Sequence, residues 1–241
     1  LLYLNQLPRV HLPGADVAAW RALINHRRTV VKRRTVAKVQ IRTILRAFQQ
    51  ACLYKNCWSK RGITWLRSLT FDAARDLMIR TLLEELEFLD RQLRTIEGQL
   101  DEIARSRPQV QRLRTIPGVG PRTAEAIVAF ADGAERFRDA RRFASYFGLT
   151  PTLDASGGVE RHGHISKRGP SVVRWVLIEA AHQTIRRCPA LRAFYDRVRQ
   201  GKKDRGKKAI VAVGRKVLTI AYAMMRKGVA FDAEKLARSA A

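Results

Sequence analysis

The sequence predicts an all-α protein, with a long helical hairpin or coiled coil followed by a compact helical domain containing a helix-hairpin-helix. Three observations carry this. Apolar residues recur at three- and four-residue spacings over two long stretches, the period of a helix face rather than of a strand. Asp, Pro and Gly stand where helices begin and end. Hydrophobic residues make up 46% of 241 residues, enough for a packed core despite a formal charge of +26.

Taken in order, residues 1–13 are apolar at Leu1, Leu2, Tyr3 and Leu4 and punctuated by Pro8 and Pro13, and they read as the remnant of a preceding domain. A helical hairpin is expected over 14–107. Asp16 can cap a helix from Val17 to about Cys52, with Leu23, Val30, Ile41, Ile44 and Phe48 on its apolar side. From Val17 to Phe71 there are thirteen Lys and Arg and no acid. A solvated helix face ordinarily mixes both signs. A run of one sign therefore reads as phosphate contact, with Arg27, Arg28, Arg33 and Arg34 as candidates.

Next, Ile79, Leu82, Leu86, Leu89, Leu93, Ile96, Leu100 and Ile103 form a heptad seam. Nine acids against four bases lie between Asp72 and Ala104, so this helix should pack on the basic one and partly neutralise it. Spacing leaves open whether its partner is in the same chain or a second subunit. A homo-oligomer through the helical hairpin is expected.

Pro108 marks a boundary, and a compact domain is expected over 108–230. Leu113–Phe130 reads as helix end, tight turn, helix. Asp139 can cap a helix ending at Gly148, and Thr150–Gly169 is a loop or small hairpin. Pro170 opens a helix to about Arg187 and Pro189 another to about Arg199. Ala209–Lys227 is a last apolar helix, packed closely at Gly214, and 231–241 a loose tail.

A positive surplus this large repels itself in a compact fold, and DNA or RNA is the usual polyanion that neutralises it. No apolar run approaches the ~20 residues that span a bilayer, so membrane is not an expected partner. Cys52, Cys57 and Cys188 make no CxxC and are odd in number, which fits reduced, structural thiols. His162 and His164 lack further ligands at useful spacing, and no metal is assigned to this chain.

Two motifs could carry chemistry. Ile116-Pro117-Gly118-Val119-Gly120-Pro121-Arg122-Thr123-Ala124 has the form of a helix-hairpin-helix turn. Gly118 and Gly120 would leave backbone N–H groups open at a helix start, a phosphate seat with Thr123 that needs no base identity. A plain turn between two helices is the competing reading. The second motif is Ala155-Ser156-Gly157-Gly158, which in isolation is a flexible turn. Its setting raises Ser156, because sixteen Lys and Arg face three acids from Arg161 to Lys216. Arg161, Lys167, Arg168 and Arg174 are the cations that would stabilise charge on a phosphodiester under attack by a hydroxyl.

Leu113–Gly228 resembles the C-terminal domain of the DEDD-type insertion-sequence transposases, recombinases guided by a bridge RNA. The matching pieces, in order, are IPGVG with TA (116–124), RRFASYFGLTP (141–151), SGG (156–158), GHISKRGPSVVRWVLIEAA (163–181) and KKAIVAVGRKVLTIAYAMMRKG (207–228), about half the chain. The stretch 17–104 is similar, less specifically, to the family's coiled coil. The resemblance implies a DNA transposase with Ser156 as nucleophile and with DNA and a guide RNA as partners. It implies an N-terminal RuvC-like domain whose acidic residues hold Mg²⁺ in the complete enzyme. Those motifs should precede Leu1, so a fragment inactive alone, with no cofactor of its own, is expected. The expected location is the prokaryotic cytoplasm, at the nucleoid. The alternative is a non-catalytic helix-hairpin-helix module that binds DNA or RNA.

Overall fold

The computed structural model describes residues 10–156 and 159–238, with the backbone alone for 153–162, 235, 237 and 238. The protein is all-α apart from one two-stranded sheet among the described residues. Two compact units divide it. One is Leu23–Leu100, and the other combines Leu1–Ala22 with Asp101–Ala241.

The first unit contains most of α1 (Ala15–Ala47), α2 (Lys60–Ser68) and most of α3 (Ala73–Arg105). Asp16 lies inside the first turn of α1 rather than at its cap, and its carboxylate accepts from Arg107 Nη2 at 2.8 Å. That bond holds the Asp16 carboxyl below its ordinary pKa. The helix stops five residues short of the expected Cys52. Gln49 turns left-handed at φ 55°, and Gln50 N–H closes the end on Leu45 O. Helix α2 has no counterpart in the expected helical hairpin, and its N-cap Ser59 accepts from Gly62 N–H.

Helices α1 and α3 run antiparallel, with Arg27 on Glu97 at 2.6 Å and Arg34 on Asp90 at 2.7 Å. The partner of the α3 seam is thus in the same chain. Ile79, Leu86, Leu89, Leu93, Ile96 and Leu100 are buried as the heptad requires. Two seam positions shift by one residue, Leu83 and Ala104 being buried where Leu82 and Ile103 are half-buried. A helix of 3.6 residues per turn drifts off a strict heptad by this amount. Ala37, Ile41 and Leu45 of α1 meet Ile79, Leu83 and Leu86 in one core with Leu66 of α2.

The second unit is built around α9 (Gly206–Lys227), which touches α4 (Pro108–Leu113), α6 (Ala140–Tyr146), α7 (Ser171–Arg187) and α8 (Pro189–Arg199). Helix α5 (Pro121–Ala131) packs on α4 and α7. The start of α1 joins this unit, with Trp20 2% exposed under the Arg107 guanidinium and Arg21 Nε donating to Ala129 O. A Cβ on Gly214 would lie 3.8 Å from Ile178 Cδ1, an ordinary contact, so close approach does not require glycine there. The tail expected to be loose carries α10 (Ala233–Arg238), with Leu236 buried.

Candidate nucleic-acid interface

Between α6 and α7 the chain makes a β-hairpin of β1 (Pro151–Ser156) and β2 (Val159–Ile165). The register pairs Pro151 with Ile165, Asp154 with Arg161 and Ser156 with Val159, with an irregularity between Pro151 and Leu153. Ser156 is therefore the last residue of β1, at the end far from the root. Its side chain and that of Arg161 lie outside the described residues, as do Gly157 and Gly158.

The root of this β-hairpin is held by backbone against backbone. Gly148 (φ +69°) and Gly169 (φ +71°) adopt the left-handed region. A Cβ on Gly148 would overlap the Arg168 carbonyl oxygen, and one on Gly169 the Tyr146 carbonyl oxygen. Ser166 N–H donates to Thr150 O at 2.9 Å and Lys167 N–H to Gly148 O at 3.3 Å. Arg174 completes the closure. Its Nη1 donates to Arg168 O (2.6 Å), Gly169 O (3.1 Å) and Phe147 O (3.2 Å). Underneath, the fully buried Phe143 and Phe147 stack edge-on, and Phe143 also meets Phe137 and Tyr222.

Of the four cations expected around Ser156, the three whose side chains are described thus divide. Lys167 and Arg168 are exposed at the root, whereas Arg174 is half-buried with one guanidinium nitrogen on three backbone carbonyls. The sequence did carry a hint. A cation near the start of a helix works against the macrodipole, so Arg174 needs a local reason to be there.

The Gly118–Thr123 turn links α4 to α5. Gly118 has φ +91°, and a Cβ there would run into the Thr184 backbone of α7. Close approach to α7 therefore fixes this glycine. Gly120 is the N-cap of α5, with Pro121 at the first position, and a Cβ on it would meet nothing within 4 Å. The space before this helix start is open. Thr123 contributes differently from expectation. It is 7% exposed, its Oγ1 donates to Val176 O at 3.4 Å, and its hydroxyl serves the packing of α5 on α7. Arg122, beside it, is paired with Asp101 and with the fully buried Glu125.

On α1, Arg27 and Arg34 are engaged with α3 carboxylates, Arg28 is half-buried and Arg33 is exposed. Among the described residues no three His, Cys, Asp or Glu come together as a metal site, and no helix is long and apolar enough to cross a membrane.

Residues 110–196 match the family described as Transposase IS116/IS110/IS902. A Pseudomonas aeruginosa protein named "Probable family 20 transposase" is 36% identical over 136 residues, 56% of this chain and 40% of that protein. The "Pilin gene-inverting protein" of Moraxella bovis is 37% identical over 123 residues, 50% of this chain and 38% of that one. The Coxiella burnetii "Transposase for insertion sequence element IS1111A" is 30% identical over 172 residues, 69% of this chain and 46% of that one. The chain spans less than half the length of each of these relatives. Residues 110–196 are thus similar to an insertion-sequence transposase domain, and the elements they span hold every candidate site residue outside α1.

Proposed function

We propose that this chain is part of a DNA transposase or recombinase, in which the second unit grips DNA and presents Ser156 to a phosphodiester. The observation that carries the reading is the place of Ser156. It ends β1, away from a root locked by two left-handed glycines and Arg174, inside the transposase-like stretch. A locked root limits where the end of β1 can travel, which favours a reacting group over a loose turn.

The step exchanges one ester for another. Ser156 Oγ bonds to phosphorus, one P–O bond of the strand breaks, and the departing DNA oxygen takes up the proton the serine gives up. The strand stays attached to protein and is ready for transfer. Lys167 and Arg168, exposed at the root and so the length of β1 away from Ser156, would attract the strand and hold phosphates that flank the attacked one. The open Gly120 N-cap supports a backbone phosphate contact beside it. In this proposal Mg²⁺ belongs to the complete enzyme, and no step here passes through it. A guide RNA is a second polyanion suited to the +26 charge. Leu77, Met78 and Phe88, all exposed on α3, support self-association through the helical hairpin.

The test joins this chain to the N-terminal part of a longer relative and supplies guide RNA, Mg²⁺ and labelled target DNA. Denaturing gels then look for protein carrying the label. The parent should form the adduct, and Ser156→Ala should lose it while still binding DNA. Label retained on Ser156→Ala would place the nucleophile elsewhere. DNA binding by the parent without any adduct would favour a non-catalytic binding module.

A further inference from the structure

The first unit carries a basic pocket that the serine reading does not use. It lies where α1 gives way to α2, and its volume is about 320 Å³. Arg42, Arg46 and Lys55 line it with Tyr54, Gln50 and Asn56. Among the described residues none of its three cations has a carboxylate within ion-pair distance. Arg34, Lys38, Arg42 and Arg46 follow one another at four-residue steps along α1, each step rising about 6 Å. Like charges at that spacing repel; Asp90 pairs with Arg34 and also favours the Lys38 charge, whereas Arg42 and Arg46 have no acid at ion-pair distance among the described residues.

The pocket is also pre-built. Trp58 lies under both the Lys38 ammonium (5.0 Å) and the Arg42 guanidinium (5.5 Å), which restrains the cation facing the pocket. Asn56 Oδ1 accepts from Trp58 N–H, and Asn56 O accepts from Ser59 N–H. A Cβ on Gly62 would overlap the Cys57 carbonyl oxygen, so α2 is seated tightly on this turn. Tyr54 remains 38% exposed at the pocket wall. Cations in a row, an accessible aromatic face and two amides are what recognise an unpaired nucleotide, with phosphates on the cations and a base stacked on the ring.

We propose that this pocket binds one unpaired nucleotide of a single-stranded nucleic acid whose backbone follows Arg34, Lys38, Arg42 and Arg46 along α1. The inference rests on the nucleic-acid part of the reading above and is independent of Ser156. Single-stranded DNA and RNA share this chemistry.

The experiment uses the full chain with fluorescein-labelled oligo(dT) and oligo(U) read by anisotropy, and thio-substituted versions for photo-crosslinking. Tyr54→Leu should weaken binding about ten-fold with the salt slope unchanged, and Tyr54→Phe should restore it. The Arg42→Gln, Arg46→Gln, Lys55→Gln variant should make the salt slope shallower by about 2. The crosslink should fall in the tryptic peptide Ala47–Lys55. A Tyr54 effect confined to oligo(U) identifies the strand as RNA, one confined to oligo(dT) identifies DNA, and both support the pocket. Affinities within about two-fold of the parent for both variants and both oligomers, or crosslinks only outside that peptide, overturn it. Duplex DNA binding that persists in that case leaves the transposase reading standing, whereas a parent that binds no nucleic acid sinks both. Displacement of the oligomers by equimolar polyglutamate would mark a seat for acidic protein and also overturn the proposal.

Discussion

Arg174 separates a staple from a phosphate contact. Its Nη1 reaches three carbonyls, those of Phe147, Arg168 and Gly169, but the nitrogen carries two hydrogens, so two bonds' worth of energy is shared among three acceptors. A charge-assisted bond contributes about 1.5–3 kcal/mol net, and partial exposure of the side chain places the sum toward the lower end, about 3 kcal/mol. In a chain of this size each kcal/mol moves the melting point by about 2–4 °C, so Arg174→Met should melt roughly 6–12 °C below the parent. Arg174→Lys keeps the charge but replaces a planar fork by a point donor, and should recover less than half of that loss. Both variants are followed by circular dichroism, with duplex DNA binding measured below the lower melting point. A phosphate contact gives the opposite pattern, with Arg174→Lys binding and melting like the parent and Arg174→Met binding worse at an unchanged midpoint. That result would refute the staple.

Two further outcomes follow from the fold. Leu89 is 1% exposed in the α3 seam, so Leu89→Asp buries an unpaired carboxylate and should destabilise the protein by about 4 kcal/mol; an unchanged urea midpoint would mean the seam is not core. The Arg107 guanidinium holds the Asp16 carboxyl below its ordinary value of 3.8, so the pair's contribution is complete above that pH and disappears as pH falls through the depressed pKa. Arg107→Gln should raise the Asp16 pKa toward its ordinary range in an NMR titration, the backbone N–H of Val17 still favouring the carboxylate, and a carboxyl that does not move would assign the depression to the helix start alone.

The helical periods were legible because they repeat. Eight seam positions on α3 announce one face, and the acid-rich composition of α3 against an α1 with no acid after Asp16 announces its partner. Single contacts were not legible. Arg27 and Arg34 look like Arg33 in the sequence, yet the antiparallel register sets Glu97 and Asp90 opposite the first two and leaves Arg33 exposed. Thr123 lies in the glycine turn in sequence, but helical geometry carries its hydroxyl to the α7 side. Arg174 and Arg168 both read as cations near a serine. Only the chain's return past Phe147 separates the one that holds the backbone from the one exposed to solvent. Helix α2 is short, amphipathic and begins at a serine among basic residues, so the sequence holds no long period to mark it.

The second unit is discontinuous in sequence, its Leu1–Ala22 part separated from the rest by Leu23–Leu100. Bringing together two ends separated by a chain of that length costs about 4 kcal/mol in entropy if the intervening residues are unstructured. Once α1 and α3 are paired, with Arg27 beside Glu97 at the base of the helical hairpin, the intervening stretch behaves as a short clasp. The seam then has a kinetic meaning as well as a static one. Closure of α3 on α1 would shorten the search by which Trp20 reaches Arg107 and Arg21 reaches α5. A fault in the seam should therefore slow maturation of the serine-bearing unit while leaving every contact within that unit unchanged.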